Sequence, residues 1–190
     1  MRIGLIGKMC SGKSSIANKL KNNYPEYTIT SFAKKIKKLA VELFDMKEKD
    51  RKLLQDIGTK MREIDKDIWI KYLLNNIKDD QNVIIDDVRY ENEMKYLKNE
   101  NFILIYLDIT HELQEQRILE TYKKTFKQHI YNKNHESENL DFDESIIDYK
   151  FSINSENEEK IYEKIENMIF KENIEIDIVK IRKDCCLFSF

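Results

Sequence analysis

The chain is poor in the residues that break or staple a backbone. Proline occurs once, glycine four times, cysteine three times and tryptophan once in 190 residues. So little proline and glycine excludes a collagen-like repeat and a Pro/Gly-rich disordered chain. Cys10 stands alone and Cys185 and Cys186 are adjacent, which is neither a disulfide framework nor zinc-ligand spacing, and His111, His129 and His135 also lack metal-ligand spacing. A reducing, cytoplasmic compartment is expected, because no apolar run approaches the ~20 residues that cross a bilayer and residues 2–9 lack the long apolar centre of a secretory signal. Charge of one sign is lacking too: 33 Lys and Arg against 35 Asp and Glu leave a net charge of -2. No global cationic field draws the chain to nucleic acid or anionic lipid, so any anion site must be local. Arginine is limited to Arg2, Arg51, Arg62, Arg89, Arg117 and Arg182, and each calls for a reason.

What is present is a folded composition, 41% hydrophobic and 36% charged, of a length that suits one core. Apolar periodicity alternates between strands, at 2–7, 27–31, 83–88, 102–109 and 149–153, and helical stripes such as Ile36, Leu39, Ala40 and Leu43. That alternation predicts an α/β fold with a parallel sheet and crossover helices. About 50 residues separate the second and third strands, far more than a minimal crossover needs, so several helices should project there. The charged stretch 111–148 reads either as a solvated helical hairpin or as a lid, and Ile174, Ile176 and Ile178 alternate like an extra strand. One domain is expected over 1–171, with 172–190 as a tail.

The strongest motif is Gly7-Lys8-Met9-Cys10-Ser11-Gly12-Lys13-Ser14, a complete G-x-x-x-x-G-K-[ST] between an apolar strand and the helical stripe Ile16, Ala17 and Leu20. Glycines in such a loop turn backbone N–H groups onto phosphate oxygens, and the helix N-terminus adds positive potential. Lys13 would reach the β and γ phosphates and Ser14 would ligate Mg2+. Cys10 fits a small filler better than a reactive thiol.

The strand 83–88 ends in Asp86, Asp87 and then Arg89. A carboxylate at the C-terminal end of a parallel strand beside the loop holds a metal or orients an attacking oxygen, and a guanidinium grips a phosphoryl group bidentately. Alternation along a strand predicts different roles for Asp86 and Asp87. In the long connection, scarce Arg62 suits phosphate recognition or a surface ion pair. Trp69, on a helical pattern with Ile68, Tyr72 and Leu73, suits a core position or a base-stacking one.

Several motifs in order resemble the viral and phage deoxynucleoside monophosphate kinases, a branch of the P-loop nucleoside monophosphate kinases. Besides the loop these are Ser31-Phe32-Ala33 with Lys37, Leu54-Gln55-Asp56-Ile57-Gly58-Thr59 with Arg62 and Asp67-Ile68-Trp69, Asp87-Val88-Arg89-Tyr90-Glu91-Asn92-Glu93, His135-Glu136-Ser137-Glu138, and the stretch 148–154. The resemblance implies a three-layer fold with a parallel five-stranded sheet flanked by helices, a helical monophosphate-binding insertion near 31–80 and a lid near 111–140. It implies ATP as donor with Mg2+, and a (deoxy)nucleoside monophosphate as acceptor, with no nucleic acid or membrane partner and a monomer or homodimer.

By motif, Gly7, Lys8, Met9, Cys10, Ser11, Gly12, Lys13, Ser14, Ser15 and Asn154 fall on the ATP side. Ser14 falls at the metal, Asp87 at the metal or on the side of the accepting oxygen, with the choice between Asp86 and Asp87 at the metal open, and Ser31, Phe32, Ala33, Lys37, Arg62, Trp69 and Arg89 at the acceptor. Lys13, Asp87, Arg89 and Arg117 would carry the catalysis. Two alternatives stand beside this reading: a P-loop kinase of another phosphorylated metabolite such as phosphomevalonate, and a nucleotide-binding switch or scaffold.

Overall fold

The computed structural model describes residues 1–123, 125–126, 138–154 and 158–171. Five strands, β1 (Arg2–Ile6), β2 (Thr28–Thr30), β3 (Val83–Val88), β4 (Phe102–Ile109) and β5 (Tyr149–Ile153), form one sheet in the order β2-β3-β1-β4-β5. Every pairing is parallel. Each expected strand is present, because runs such as Val83-Ile84-Ile85 offer β-branched side chains to both covered faces of a parallel sheet.

Six α-helices lie between the strands among the described residues, α1 (Lys13–Asn23), α2 (Ala33–Phe44), α3 (Arg51–Ile64), α4 (Ile68–Leu74), α5 (Glu91–Asn99) and α6 (His111–Thr121), and a seventh, α7 (Glu158–Glu166), follows β5. One sheet face packs Val83, Ile85, Leu104 and Tyr106 against Ile36 of α2, Trp69, Ile70 and Leu73 of α4, and Met94 and Leu97 of α5. On the opposite face Ile3, Leu5, Ile84, Ile105 and Leu107 are fully buried, and α1 lies against β1, β2 and β3 through Ile16, Ala17 and Leu20. The long connection holds α2, α3 and α4.

Two compact units divide the chain, residues 1–154 and 155–190. The first contains the whole sheet and α1 to α6; the second contains α7, extended by a wider π turn over Asn167–Lys171. No helix among the described residues is long and apolar enough to cross a membrane. The expected strand at 174–178 and the central part of the expected lid, including His129 and His135, lie outside the described residues.

Candidate active site

The loop between β1 and α1 depends on two glycines. Gly7 has φ 153° and Gly12 φ 93°, conformations that side chains rarely adopt. A Cβ on Gly7 would also sit 2.7 Å from the Leu107 carbonyl oxygen and 2.5 Å from Ser11 Oγ. Cys10 takes a left-handed φ of 63° between them. Lys13, the first residue of α1, is buried and folds back over the loop, donating to the carbonyls of Gly7 (2.5 Å) and Lys8 (2.6 Å) and to Ser11 Oγ (3.3 Å). Burial, and then the nearby Arg89 charge, lower its pKa from 10.5 to about 7.

The third strand departs from simple alternation. Gly4 pairs with Ile85 and Ile6 with Val88, so β3 carries one extra residue against β1 at Asp86 and Asp87. The bulge turns both carboxylates toward the same cavity. Their contacts differ. Ser14 Oγ donates to Asp86 Oδ2 at 2.8 Å, whereas Asp87 accepts the backbone N–H of Phe32 (2.8 Å) and of Ala33 (2.9 Å).

By resemblance the sequence put Asp87 on the metal or hydroxyl side and left open which aspartate faces the metal; in the structure the partner of Ser14 is Asp86. The reason is local. Phe32 offers α2 no side-chain cap, so Asp87 takes the orphan N–H groups of that helix from across the sheet edge. Burial raises the Asp87 pKa in spite of these donors.

The cavity, of about 360 Å³, opens at the C-terminal ends of β1 and β3. Lys13, Ser14, Met9 and Cys10 form one wall; Ser31, Phe32, Ala33, Ile36 and Lys37 a second; Lys49, Arg51, Leu54, Gln55, Gly58, Thr59 and Arg62 of the α3 region a third. Asp86, Asp87, Arg89, Tyr90, Glu93, Tyr122 and Glu138 close it.

Arg62 stacks over the Tyr90 ring at 4.3 Å and reaches Glu93 at 3.5 Å. Glu93 is buried and accepts the backbone N–H of Arg89 (2.8 Å) and Tyr90 (3.1 Å), yet burial still pushes its pKa up to about 7. Both candidate phosphate-binding arginines are thus tied to one buried glutamate. Burial raises the Cys10 thiol pKa, which fits a filler and not a nucleophile.

Gly7, Lys8, Ser11 and Gly12 of the loop and Ser15 of α1 do not line the cavity. Three other sequence candidates also lie outside its lining. Trp69 is 3% exposed and donates from Nε1 to the Gly58 carbonyl at 3.1 Å, so it is a core residue behind α3 and not a stacking partner in the cavity. Arg117, on α6, donates to the Cys10 carbonyl at 3.2 Å, from behind the loop. Asn154 follows β5 and is exposed.

The sequence reading assigned no part to Glu138, Arg51 or Tyr122. Alternation alone singled out Asp86 as distinct from Asp87, and the motif containing Glu93 was visible without its role. No group of three or more His, Cys, Asp or Glu gathers at metal-binding spacing among the described residues. Ser14 and Asp86 still suit Mg2+, which keeps waters and phosphate oxygens and takes only one or two hard oxygen ligands from protein.

A family model described as an AAA domain matches residues 3–141. Among solved structures, the shikimate kinase of Acinetobacter baumannii in complex with shikimate aligns at a TM-score of 0.53 with 15% identity, covering 90% of this chain and 93% of that one. An uncharacterised protein from Eubacterium ventriosum aligns at 0.52 with 17% identity, covering 89% and 98%. Identities this low establish a shared fold, the α/β fold of P-loop kinases, and nothing finer. No curated protein matches the chain in sequence.

Proposed function

The chain belongs to the AAA domain family, and from that premise we propose that it transfers the γ-phosphoryl group of ATP to a (deoxy)nucleoside 5'-monophosphate. The observation that carries this reading is the second set of cations, Lys37, Arg62 and Arg89, lining the same cavity as the phosphate loop. ATP phosphates are served by the loop, Lys13 and the N-terminus of α1. A further cluster facing them suits an acceptor that already bears a phosphate. The Tyr90 ring and the polar groups of Gln55 and Thr59 in the lining suit a planar base with hydrogen-bonding edges.

In this mechanism the acceptor phosphate oxygen attacks the γ-phosphorus and the bond to the β,γ-bridging oxygen breaks, giving ADP and a nucleoside diphosphate. The protein contributes position and charge and no covalent intermediate. Lys13 exchanges its loop carbonyls for phosphate oxygens. Arg89 and Arg62 hold the acceptor phosphate in line, and Arg117 steadies the loop at Cys10. Ser14 and Asp86 would hold Mg2+, which supplies charge neutralisation on the phosphates. Asp87 fixes the start of α2 and thereby Ser31, Phe32 and Lys37 on the acceptor side.

The test is ADP release across ribo- and deoxyribonucleoside monophosphates, with phosphomevalonate and shikimate in the same panel. Turnover with one or more monophosphates supports the reading. Turnover confined to either other acceptor refutes it.

A further inference from the structure

Glu138 puts a buried carboxylate inside a cavity otherwise suited to phosphates, which is costly unless the charge is paired. Its side chain is 5% exposed and its two oxygens have separate partners. Oε2 accepts the backbone N–H of Met9 in the phosphate loop at 2.7 Å, and Oε1 accepts from Nη1 of Arg89. The residue thus bridges the loop that would hold ATP and the arginine that would hold the acceptor, from a sequence position 129 residues beyond Met9.

The charges explain why an anion belongs there. Arg89 and Lys13 line one cavity and would serve adjoining phosphates of the two substrates, so they repel each other before substrate arrives. A carboxylate bonded to Arg89 and anchored on the loop lets two cations converge on one site without the polyanion present to reconcile them.

We infer that Glu138 is a positioning residue, which anchors the Arg89 guanidinium to the phosphate loop at Met9 and so couples the donor and acceptor phosphate sites. The inference rests on the proposed kinase reading for its kinetic consequence but not for the pairing itself.

Two measurements test it. In the full-length protein, Glu138→Gln keeps an acceptor oxygen for the Met9 N–H and removes the charge facing Arg89. The 15N guanidinium signals of Arg89 should then lose the slow hydrogen exchange of a buried ion pair, in a protein that stays folded at 25 °C with a melting temperature lowered by about 3–12 °C. An Arg89 spectrum unchanged by the substitution overturns the inference whatever the acceptor proves to be.

Kinetically, Glu138→Gln should lower kcat/KM for the monophosphate about 10- to 100-fold, the loss of one charge-assisted contact, with the ATP dissociation constant within threefold. Glu138→Asp should recover part of the loss. In an Arg89→Met background the same substitution should add less than threefold, because its partner is already gone. Multiplying losses indicate an independent structural role and overturn the inference, as does a gain in ATP affinity or in kcat/KM, which marks a carboxylate that blocks the site. If the wild-type protein transfers phosphate to no monophosphate, the functional reading fails and the guanidinium spectrum still decides the pairing.

Discussion

Two adjacent carboxylates with different partners should fail in different ways when each is made an amide. Asp87 accepts two backbone N–H groups, from Phe32 and Ala33 at the start of α2. In Asp87→Asn one oxygen remains for one N–H, while the new NH2 meets the other donor head-on. Losing one charge-assisted bond and leaving a donor unpaired costs about 1.5–3 kcal/mol. At roughly 2–4 °C per kcal/mol for a chain of this size, the melting temperature should fall by about 3–12 °C.

Asp86 is half-exposed and its contact is to a single side-chain hydroxyl, Ser14, at 2.8 Å. Asp86→Asn should therefore stay within about 1 kcal/mol of wild-type stability. Its loss should appear as a drop of about 10- to 100-fold or more in Mg2+-dependent turnover, partly restored by raising Mg2+. Calorimetric melting and ADP release on both variants separate the roles. A stable Asp87→Asn with lost metal dependence, beside an unstable Asp86→Asn, would refute the assignment.

Lys13→Ala should abolish phosphoryl transfer while the far-ultraviolet circular dichroism spectrum is unchanged; near wild-type turnover would contradict a role for the loop. Arg62→Ala and Arg89→Ala should each weaken monophosphate use about 10- to 100-fold while leaving ATP affinity within threefold, measured by calorimetric titration. Arg117→Ala should cost a similar 10- to 100-fold in kcat/KM for ATP through its contact with the Cys10 carbonyl, whereas a kcat loss of about 10³ would mean that its guanidinium touches the transferring phosphoryl. Because Lys13 has a folded pKa of about 7 against 10.5 when exposed, the unfolded chain holds the proton between those values and Lys13 makes stability rise with pH across that window. ATP phosphates favour the ammonium form, so ATP binding at pH 8 should take up a proton in buffers of different ionisation enthalpy, and Lys13→Met should take up none.

Much of this architecture is readable from local pattern. The apolar run of β3, the glycines of the loop and the stripe of α1 each encode their element within a few residues, and their order encodes the parallel sheet. The site was legible where chemistry is sequence-local: the loop, the strand end with Asp86, Asp87 and Arg89, the Ser31-Phe32-Ala33 stretch with Lys37, and Arg62. The bulge at Asp86 and Asp87 depends on the partner strand, so alternation could separate the two aspartates without saying which meets Ser14. Trp69 looked like a stacking candidate because its patterned helix carries no sign that Gly58, eleven residues earlier, exposes a carbonyl to its indole N–H. Glu138 was visible in a motif but without a role, because its partners, Met9 and Arg89, lie 129 and 49 residues away.

The most direct test of the central claim is 31P nuclear magnetic resonance of the full-length protein with Mg-ATP and a deoxynucleoside monophosphate, the base chosen by prior screening. The account predicts that the γ-phosphate signal of ATP and the monophosphate signal decline together. The α and β doublets of two diphosphates, ADP and the deoxynucleoside diphosphate, should grow in equal amount, and both changes should vanish with Lys13→Ala. ATP converted only to ADP and inorganic phosphate, with the monophosphate signal of every nucleotide tried left intact, would contradict it.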